Sequence, residues 1–252
     1  MKLITATALL EDGLLSANTI FICNGRVKTN GHWVVCPHPH GRLTVHQAIG
    51  FSCNVFFAQA VKGLSRHRLI YYARQFQLDR PVQSMGSHAD RIELHDKLKE
   101  KIRKNNSQDK VLHHWGESFT FTTDGLDAQP FHFLALGLSP LIQPNALQLL
   151  RVAKHIAQQS IPQIRPQTWI ILQQGMRLAA RAGTAQVLDP ADRFKLAAKT
   201  GTVPHGQNFS SWLIGYFPFE QPRYAICAYA PSGTARDSAV PLLRDFLAQW
   251  ER

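Results

Sequence analysis

Leu3, Ala6, Thr7 and Leu10 recur at helical spacing, and Asp12-Gly13 supplies a stop, so residues 1–12 are expected to form a helix. Residues 20–36 read as a hairpin around Asn30-Gly31, the dipeptide that a two-residue turn demands, and that turn pairs Gly25 with Cys36. After the loop Pro37-His38-Pro39-His40-Gly41, the stretch Thr44-Val45-His46-Gln47 has the form of a capping box, which predicts a helix running to about Phe51. A second helix begins near Asn54, where Phe57, Val61 and Leu64 make an apolar stripe that closes around Gly63. Ser52-Cys53-Asn54 therefore falls at a junction between two helices.

Residues 90–104 are densely charged, with Ile92, Leu94, Leu98 and Ile102 interleaved, the pattern of a solvent-exposed helix. Asn105-Asn106-Ser107 opens a polar linker, and residues 144–158 carry Leu147, Leu150, Val152 and Ile156 on another helix. The period then changes. Residues 194–203, 210–217 and 223–230 are short and rich in β-branched or aromatic side chains, and turn residues separate them, which predicts three consecutive antiparallel strands. The second and third are apolar at successive positions, as in a sheet covered on both faces. Val240, Leu243, Phe246, Leu247 and Trp250 make an amphipathic C-terminal helix that can supply one cover.

Composition adds limits rather than an answer. The 252 residues are 44% hydrophobic and 18% charged, enough to build one large domain or two small ones. Lys and Arg outnumber Asp and Glu by 28 to 17, a formal charge of +11 that draws the chain toward acidic partners without choosing among nucleic acid, anionic lipid or an acidic wall polymer. Basic residues do not interleave with aromatics in a stacking pattern, so no nucleic-acid partner is expected. No run approaches the roughly 20 apolar residues of a membrane helix, and Glu11-Asp12 interrupts any signal-peptide pattern. Cys23, Cys36, Cys53 and Cys227 are few for a disulfide framework, and the Asn30-Gly31 register leaves Cys23 displaced from Cys36, which disfavours a bridge.

Three features carry chemistry together: Lys2 on the first helix, Ser52-Cys53-Asn54 at the inter-helix junction, and Lys199-Thr200-Gly201-Thr202 on a strand. In order and spacing they resemble the penicillin-binding protein and serine β-lactamase superfamily, with its Ser-x-x-Lys, Ser-x-Asn and Lys-Thr-Gly motifs. Residues 2–13, His40-Gly41, Val55-Phe56-Phe57, Gly175-Met176, Gly183-Thr184-Ala185 and residues 211–218 look like the class B transpeptidases in sequence order, while residues 90–124 carry no match. The resemblance implies an α/β (α+β) fold, β-lactamase/transpeptidase-like, with an antiparallel sheet, helices on both faces and an all-helical subdomain. It also implies a single domain over 1–252, mainly helical to 190 and sheet with C-terminal helix from 191. About five strands are expected of that sheet and three can be counted, so the first strands are missing from these residues and the chain alone should fold poorly.

The resemblance implies D,D-transpeptidase chemistry on the D-Ala-D-Ala termini of peptidoglycan stem peptides, with β-lactams as mimics and no cofactor. Lys2 then takes the proton from a serine nucleophile, Ser52 relays it toward the leaving amine, and Asn54 binds the substrate amide and orients Lys2. Lys199 provides positive potential for the terminal carboxylate. The hydroxyls of Thr200 and Thr202 bond to that carboxylate, Gly201 leaves room for an added strand, and the Thr202 N–H serves the oxyanion. In Ser-x-x-Lys with Lys2 as the lysine, the serine stands two positions before Met1, so residues 1–252 are expected to be inactive alone. Ser107-Gln108-Asp109-Lys110 matches the pattern formally, but it follows the Ser-x-Asn and sits in a polar linker. Alternatives on the same fold are a non-catalytic binder of peptidoglycan or β-lactams, and a β-lactamase or β-lactam sensor. Membership of a membrane-anchored cell-wall synthesis complex, with this domain facing the periplasm or cell exterior, is implied by the resemblance alone. Cys36-x-His38-x-His40 with Cys23 has the ligand types for zinc, but its spacing matches no common zinc module and no metal is expected. His113-His114 reads as surface.

Overall fold

The computed structural model describes residues 1–82, 119–205 and 208–250. The charged stretch 90–104, the polar linker after it, Ser107-to-Lys110 and His113-His114 lie outside the described residues.

Helix α1, Lys2–Glu11, is less one-sided than its spacing suggests, because every residue from Leu3 to Leu10 is buried. A helix apolar on all sides belongs inside a core. Its two buried threonines are satisfied locally, Thr5 donating to the Ala135 carbonyl at 2.7 Å and Thr7 to the Leu3 carbonyl at 3.0 Å. Lys2 thus sits at the first turn of a rod held on all sides.

Strands β1 (Phe21–Cys23), β2 (Arg26–Thr29), β3 (His32–Val35) and β4 (Gly41–Leu43) follow. Asn30 and Gly31 both take positive φ, 47° and 80°, as a twist-matched two-residue turn requires. β2 pairs with β3 in the expected register, and the Cys36 N–H donates to the Gly25 carbonyl at 2.8 Å. The hairpin is shorter than residues 20–36, however. β1 leaves it to pair antiparallel with β4, Cys23 opposite Gly41.

Helix α2, Val45–Gly50, starts at a Thr44/Gln47 capping box, with the Gln47 side chain accepting the Thr44 N–H at 2.9 Å. Helix α3 is Asn54–Ala60, and its N-cap is Cys53, whose sulfur accepts the Phe56 N–H at 3.3 Å. Ser52 therefore caps nothing, and Asn54 is the first helical residue. Helix α4 (Arg66–Gln75), the two-residue strand β5 (Thr120–Phe121), helix α5 (Phe131–Leu136), strand β6 (Ile142–Gln143) and helix α6 (Ala146–Gln158) complete the middle of the chain. Asn145 caps α6 with a box to Gln148.

Helix α7, Pro166–Ala182, lies against α2 at near-backbone contact. A Cβ added at Gly175 would stand 2.7 Å from Ile49 Cβ, and one at Gly183 would stand 2.3 Å from the Gly50 carbonyl oxygen. Glycine at both positions lets the helices touch. The Thr184 N–H then donates to that same Gly50 carbonyl at 3.3 Å, so the end of α7 is tied to the end of α2, two residues before Ser52.

Strands β7 (Ala197–His205), β8 (Asn208–Phe217) and β9 (Tyr224–Ala230) form an antiparallel sheet in that order. Both faces are covered, as the unbroken apolar runs predict. Ala197, Ile214 and Tyr216 join the core of the helical part, while Ala198, Leu213, Ile226 and Ala228 pack with Leu243 and Leu247 of helix α8, Val240–Trp250. Among the described residues, β7 is bonded to β8 alone and its other edge is free.

Candidate active site

The junction between α2 and α3 turns sharply at Ser52, whose φ of 53° lies in the left-handed region. A side chain held there by a non-glycine residue is strained at a cost of about 1–3 kcal/mol, and it persists only where its surroundings over-determine it. Here they do. Ser52 Oγ lies 2.8 Å from Lys199 Nζ and 3.2 Å from Lys2 Nζ, and Lys2 also donates to the Ser52 carbonyl at 3.0 Å. Asn54 Oδ1 accepts from Lys2 Nζ at 2.5 Å, and Asn54 Nδ2 donates to the Val35 carbonyl at 2.9 Å, which anchors the amide to the hairpin. Three distant stretches thus meet at one hydroxyl.

Two ammonium groups so close to one acceptor are shifted strongly. Burial lowers Lys2 from 10.5 to about 8, against a smaller opposing pull from Cys36 and Cys53. Burial first, and the charge of Lys2 second, hold Lys199 well below its ordinary value. An amine near 8 can be neutral near physiological pH and take a proton from a neighbouring hydroxyl. Lys199 Nζ also donates to the Thr200 carbonyl at 2.7 Å, which keeps it beside β7.

The free edge of β7 carries Lys199-Thr200-Gly201-Thr202. A Cβ at Gly201 would meet only Trp212 Cβ at 3.8 Å, so internal packing does not demand glycine there and the space beside it is open. The two threonine hydroxyls have partners already. Thr200 donates to Thr184 Oγ1 at 2.6 Å, and Thr202 Oγ1 accepts the Ala235 N–H at 3.0 Å, which leaves the Thr202 proton available. The motif Gly183-Thr184-Ala185 carries no sign of this contact in its sequence; only the fold brings the Thr184 hydroxyl to Thr200.

Directly beneath Ser52 lies a second group that sequence spacing did not assemble. All four cysteines are free thiols. Cys36 approaches not Cys23 but Cys53, sulfur to sulfur 3.7 Å, and Cys23 Sγ lies 3.4 Å from His40 Nδ1. The four donor atoms all lie within 4.8 Å of one another, and His38 is not among them. A hydrogen bond from the Cys53 thiol favours the thiolate of Cys36 and disfavours that of Cys53. The grouping differs from Cys36-x-His38-x-His40, the set that the sequence spacing offered, in that Cys53 stands where His38 was expected.

Residues 1–248 match the family described as penicillin binding protein transpeptidase domain. Similar solved structures include Pseudomonas aeruginosa PBP2 in complex with WCK 5153, at 18% identity and TM-score 0.72, covering 99% of this chain and 57% of that one. Helicobacter pylori PBP2 in complex with MreC is 20% identical with TM-score 0.70, covering 99% and 48%. Mycobacterium tuberculosis PBP3 complexed with aztreonam is 19% identical with TM-score 0.69, covering 99% and 61%. The chain spans about half the length of these structures. The comparison with curated proteins returns no match.

Proposed function

We propose, from the premise that this chain belongs to the penicillin-binding protein transpeptidase domain family, that its cleft binds the D-Ala-D-Ala end of a peptidoglycan stem peptide and takes part in acyl transfer from it. The observation that carries this reading is the convergence of Lys2, Asn54 and Lys199 on Ser52. Acyl transfer needs a base beside the nucleophile, a proton path to the leaving amine and charge stabilisation of the oxyanion. Lys2, lowered toward 8, is the base for a serine three positions ahead of it. Ser52, bonded to both lysines, passes the proton on. Asn54 has one amide hydrogen left for the substrate, and Lys199 with the Thr202 hydroxyl holds the terminal carboxylate. Thr200 contributes by fixing Thr184 at the same edge, and Gly201 lets the substrate backbone lie along β7 as an added strand, with the Thr202 N–H directed at the oxyanion.

Residues 1–190 then supply the base and relay, and residues 191–252 supply the carboxylate strand, as two parts of one domain. β-Lactams are ligands of the same cleft, in keeping with the aztreonam complex of a similar structure. A place in a membrane-anchored wall-synthesis assembly facing the periplasm or cell exterior follows the family and the complex of the similar PBP2 with MreC. No described helix is long and apolar enough to cross a membrane.

Treating two polypeptides with a fluorescent penicillin tests this reading: residues 1–252, and the Ser-x-x-Lys form with a serine three positions before Lys2. Covalent label on the second only is expected. Absence of label on both, with folded protein, would contradict it.

A further inference from the structure

We propose that the cavity between the β2–β3 turn and the start of α5 binds a hydroxylated phosphate ester, of the glycerol phosphate class. The cavity measures about 410 Å³, within the range of small-molecule sites. Lys28, Thr29 and Asn30 line it from the hairpin turn. Opposite them stand Lys62, in the short turn Val61–Gly63 that follows α3, and His132 on α5. Ala58, Val61 and Phe131 supply an apolar lining. The cavity thus sits at the end of α3 and of the hairpin away from Asn54 and Val35, and is a second site rather than an extension of the cleft around Ser52.

Its charge selects an anion. The lining holds two amines and no carboxylate, and a cleft of one sign concentrates the opposite ion. Among the described residues neither Lys28 nor Lys62 has an ion pair or a side-chain hydrogen bond. Arg66 is close by, its guanidinium 5.4 Å from the Phe131 ring, but it is engaged by the carbonyls of Leu126 and Gln129 at 2.9 and 2.8 Å. Lysines act as point charges that suit a tetrahedral phosphate, whereas a planar carboxylate is better matched by an arginine fork.

His132 defines the rest of the ligand. It is 2% exposed, packed against the rings of His32 and Phe133 at 5.7 and 4.4 Å, and neither Nδ1 nor Nε2 has a hydrogen-bond partner among the described residues. Burial first, and His32 second, hold its pKa below the ordinary 6.5. The ring is therefore uncharged at neutral pH, with one N–H to donate and one lone pair to accept. Buried polar atoms are nearly always paired, so two unpaired ones beside a polar cavity mark a ligand that can both accept and donate. A phosphate held by the amines takes the N–H, and a hydroxyl on the same molecule takes the lone pair. The volume and the apolar lining leave room for the carbon chain that joins them. Both nitrogens are closed to solvent, so binding turns the ring toward the cavity.

The test is calorimetric titration of the natural protein with glycerol 3-phosphate, with inorganic phosphate and glycerol as comparisons. The ester should bind saturably, about tenfold more tightly than inorganic phosphate and more weakly as salt is added, and glycerol alone should not bind. Lys28→Gln combined with Lys62→Gln, both exposed positions, should weaken the ester about ten- to hundredfold and leave the thermal midpoint in place. His132→Phe should bring the ester down to the level of inorganic phosphate. A buried substitution can disturb folding, so the lysine pair decides the matter if that variant does not fold. Flotation with phosphatidylglycerol vesicles, against phosphatidylcholine vesicles, separates two sources of the same group. Capture by the former alone, competed by glycerol 3-phosphate and lost in the lysine variant, assigns a lipid headgroup; saturable binding of the ester without capture assigns a soluble one. No saturable binding of the ester, inorganic phosphate bound as tightly as the ester, or an affinity indifferent to both lysines overturns the proposal.

Discussion

Ser52 and Lys199, 147 residues apart in sequence, meet at 2.8 Å between Oγ and Nζ. That contact joins the helical part of the chain to the free edge of its sheet. It also leaves one hydroxyl facing two amines of lowered pKa.

Replacing Ser52 with alanine removes the shared hydroxyl while leaving the backbone turn in place. General acid–base groups contribute about 10²–10⁴-fold to rate, so Ser52→Ala in the Ser-x-x-Lys form should slow penicillin acylation within that range. Stopped-flow or gel labelling measures it. A variant within twofold of the parent would remove Ser52 from the relay.

Lys2 sets the pH response. Its folded value is about 8 and its ordinary value 10.5, so acylation by the Ser-x-x-Lys form should rise with pH through about 8 as the amine loses its proton. Stability should move in the same direction. Between about 8 and 10.5 the unfolded chain holds a proton that the folded chain has released, so stability increases with pH across that window. Urea midpoints for the parent and Lys2→Met should converge at high pH and separate below 8. A parent-specific decrease over the window would reverse the assigned sign.

Gly175→Ala sets two effects against each other. Alanine is favoured over glycine inside a helix by about 1 kcal/mol. The new Cβ, however, would stand 2.7 Å from Ile49 Cβ and 3.0 Å from the His46 carbonyl, where α2 cannot yield without moving Ser52. Overpacking of this kind costs about 1–3 kcal/mol, so the variant should be less stable in urea and should also lose acylation rate. A stabilised variant would show that α2 and α7 have slack between them.

The sequence carried much of this architecture because its signals are local. Asn30-Gly31 fixes a hairpin register within six residues, and Thr44 to Gln47 caps a helix through side chains three positions apart. The Lys-Thr-Gly strand and the Ser-x-Asn junction were likewise readable in place. What escaped were pairings across distance. β1 and β4 are three residues each, too short to show a period, and their pairing moves Cys23 away from the hairpin and onto His40. Cys53 reads as the middle of a motif, with nothing nearby in sequence to mark its approach to Cys36. Helix α7 lies outside the expected elements, although Pro166 at its first position is a helix-start signal.

Thr184 is a positioning residue that only the fold reveals. Its hydroxyl accepts from Thr200 at 2.6 Å, and its backbone is tied to Gly50. A neutral hydrogen bond contributes about 0.5–1.5 kcal/mol, so Thr184→Val should lower acylation efficiency by roughly two- to tenfold, chiefly through weaker binding of the β-lactam carboxylate. Thr184→Ser should restore it. Equal losses for valine and serine would mean that packing rather than the hydroxyl matters.

The site of covalent attachment tests the central claim most directly. After exposure of the Ser-x-x-Lys form to penicillin, peptide mass spectrometry should find the adduct on the serine three positions before Lys2, at a rate that collapses in Lys2→Met and Ser52→Ala. An adduct on any serine within residues 1–252, Ser107 included, or labelling indifferent to both substitutions, would contradict the convergence of Lys2, Ser52, Asn54 and Lys199 as the working site.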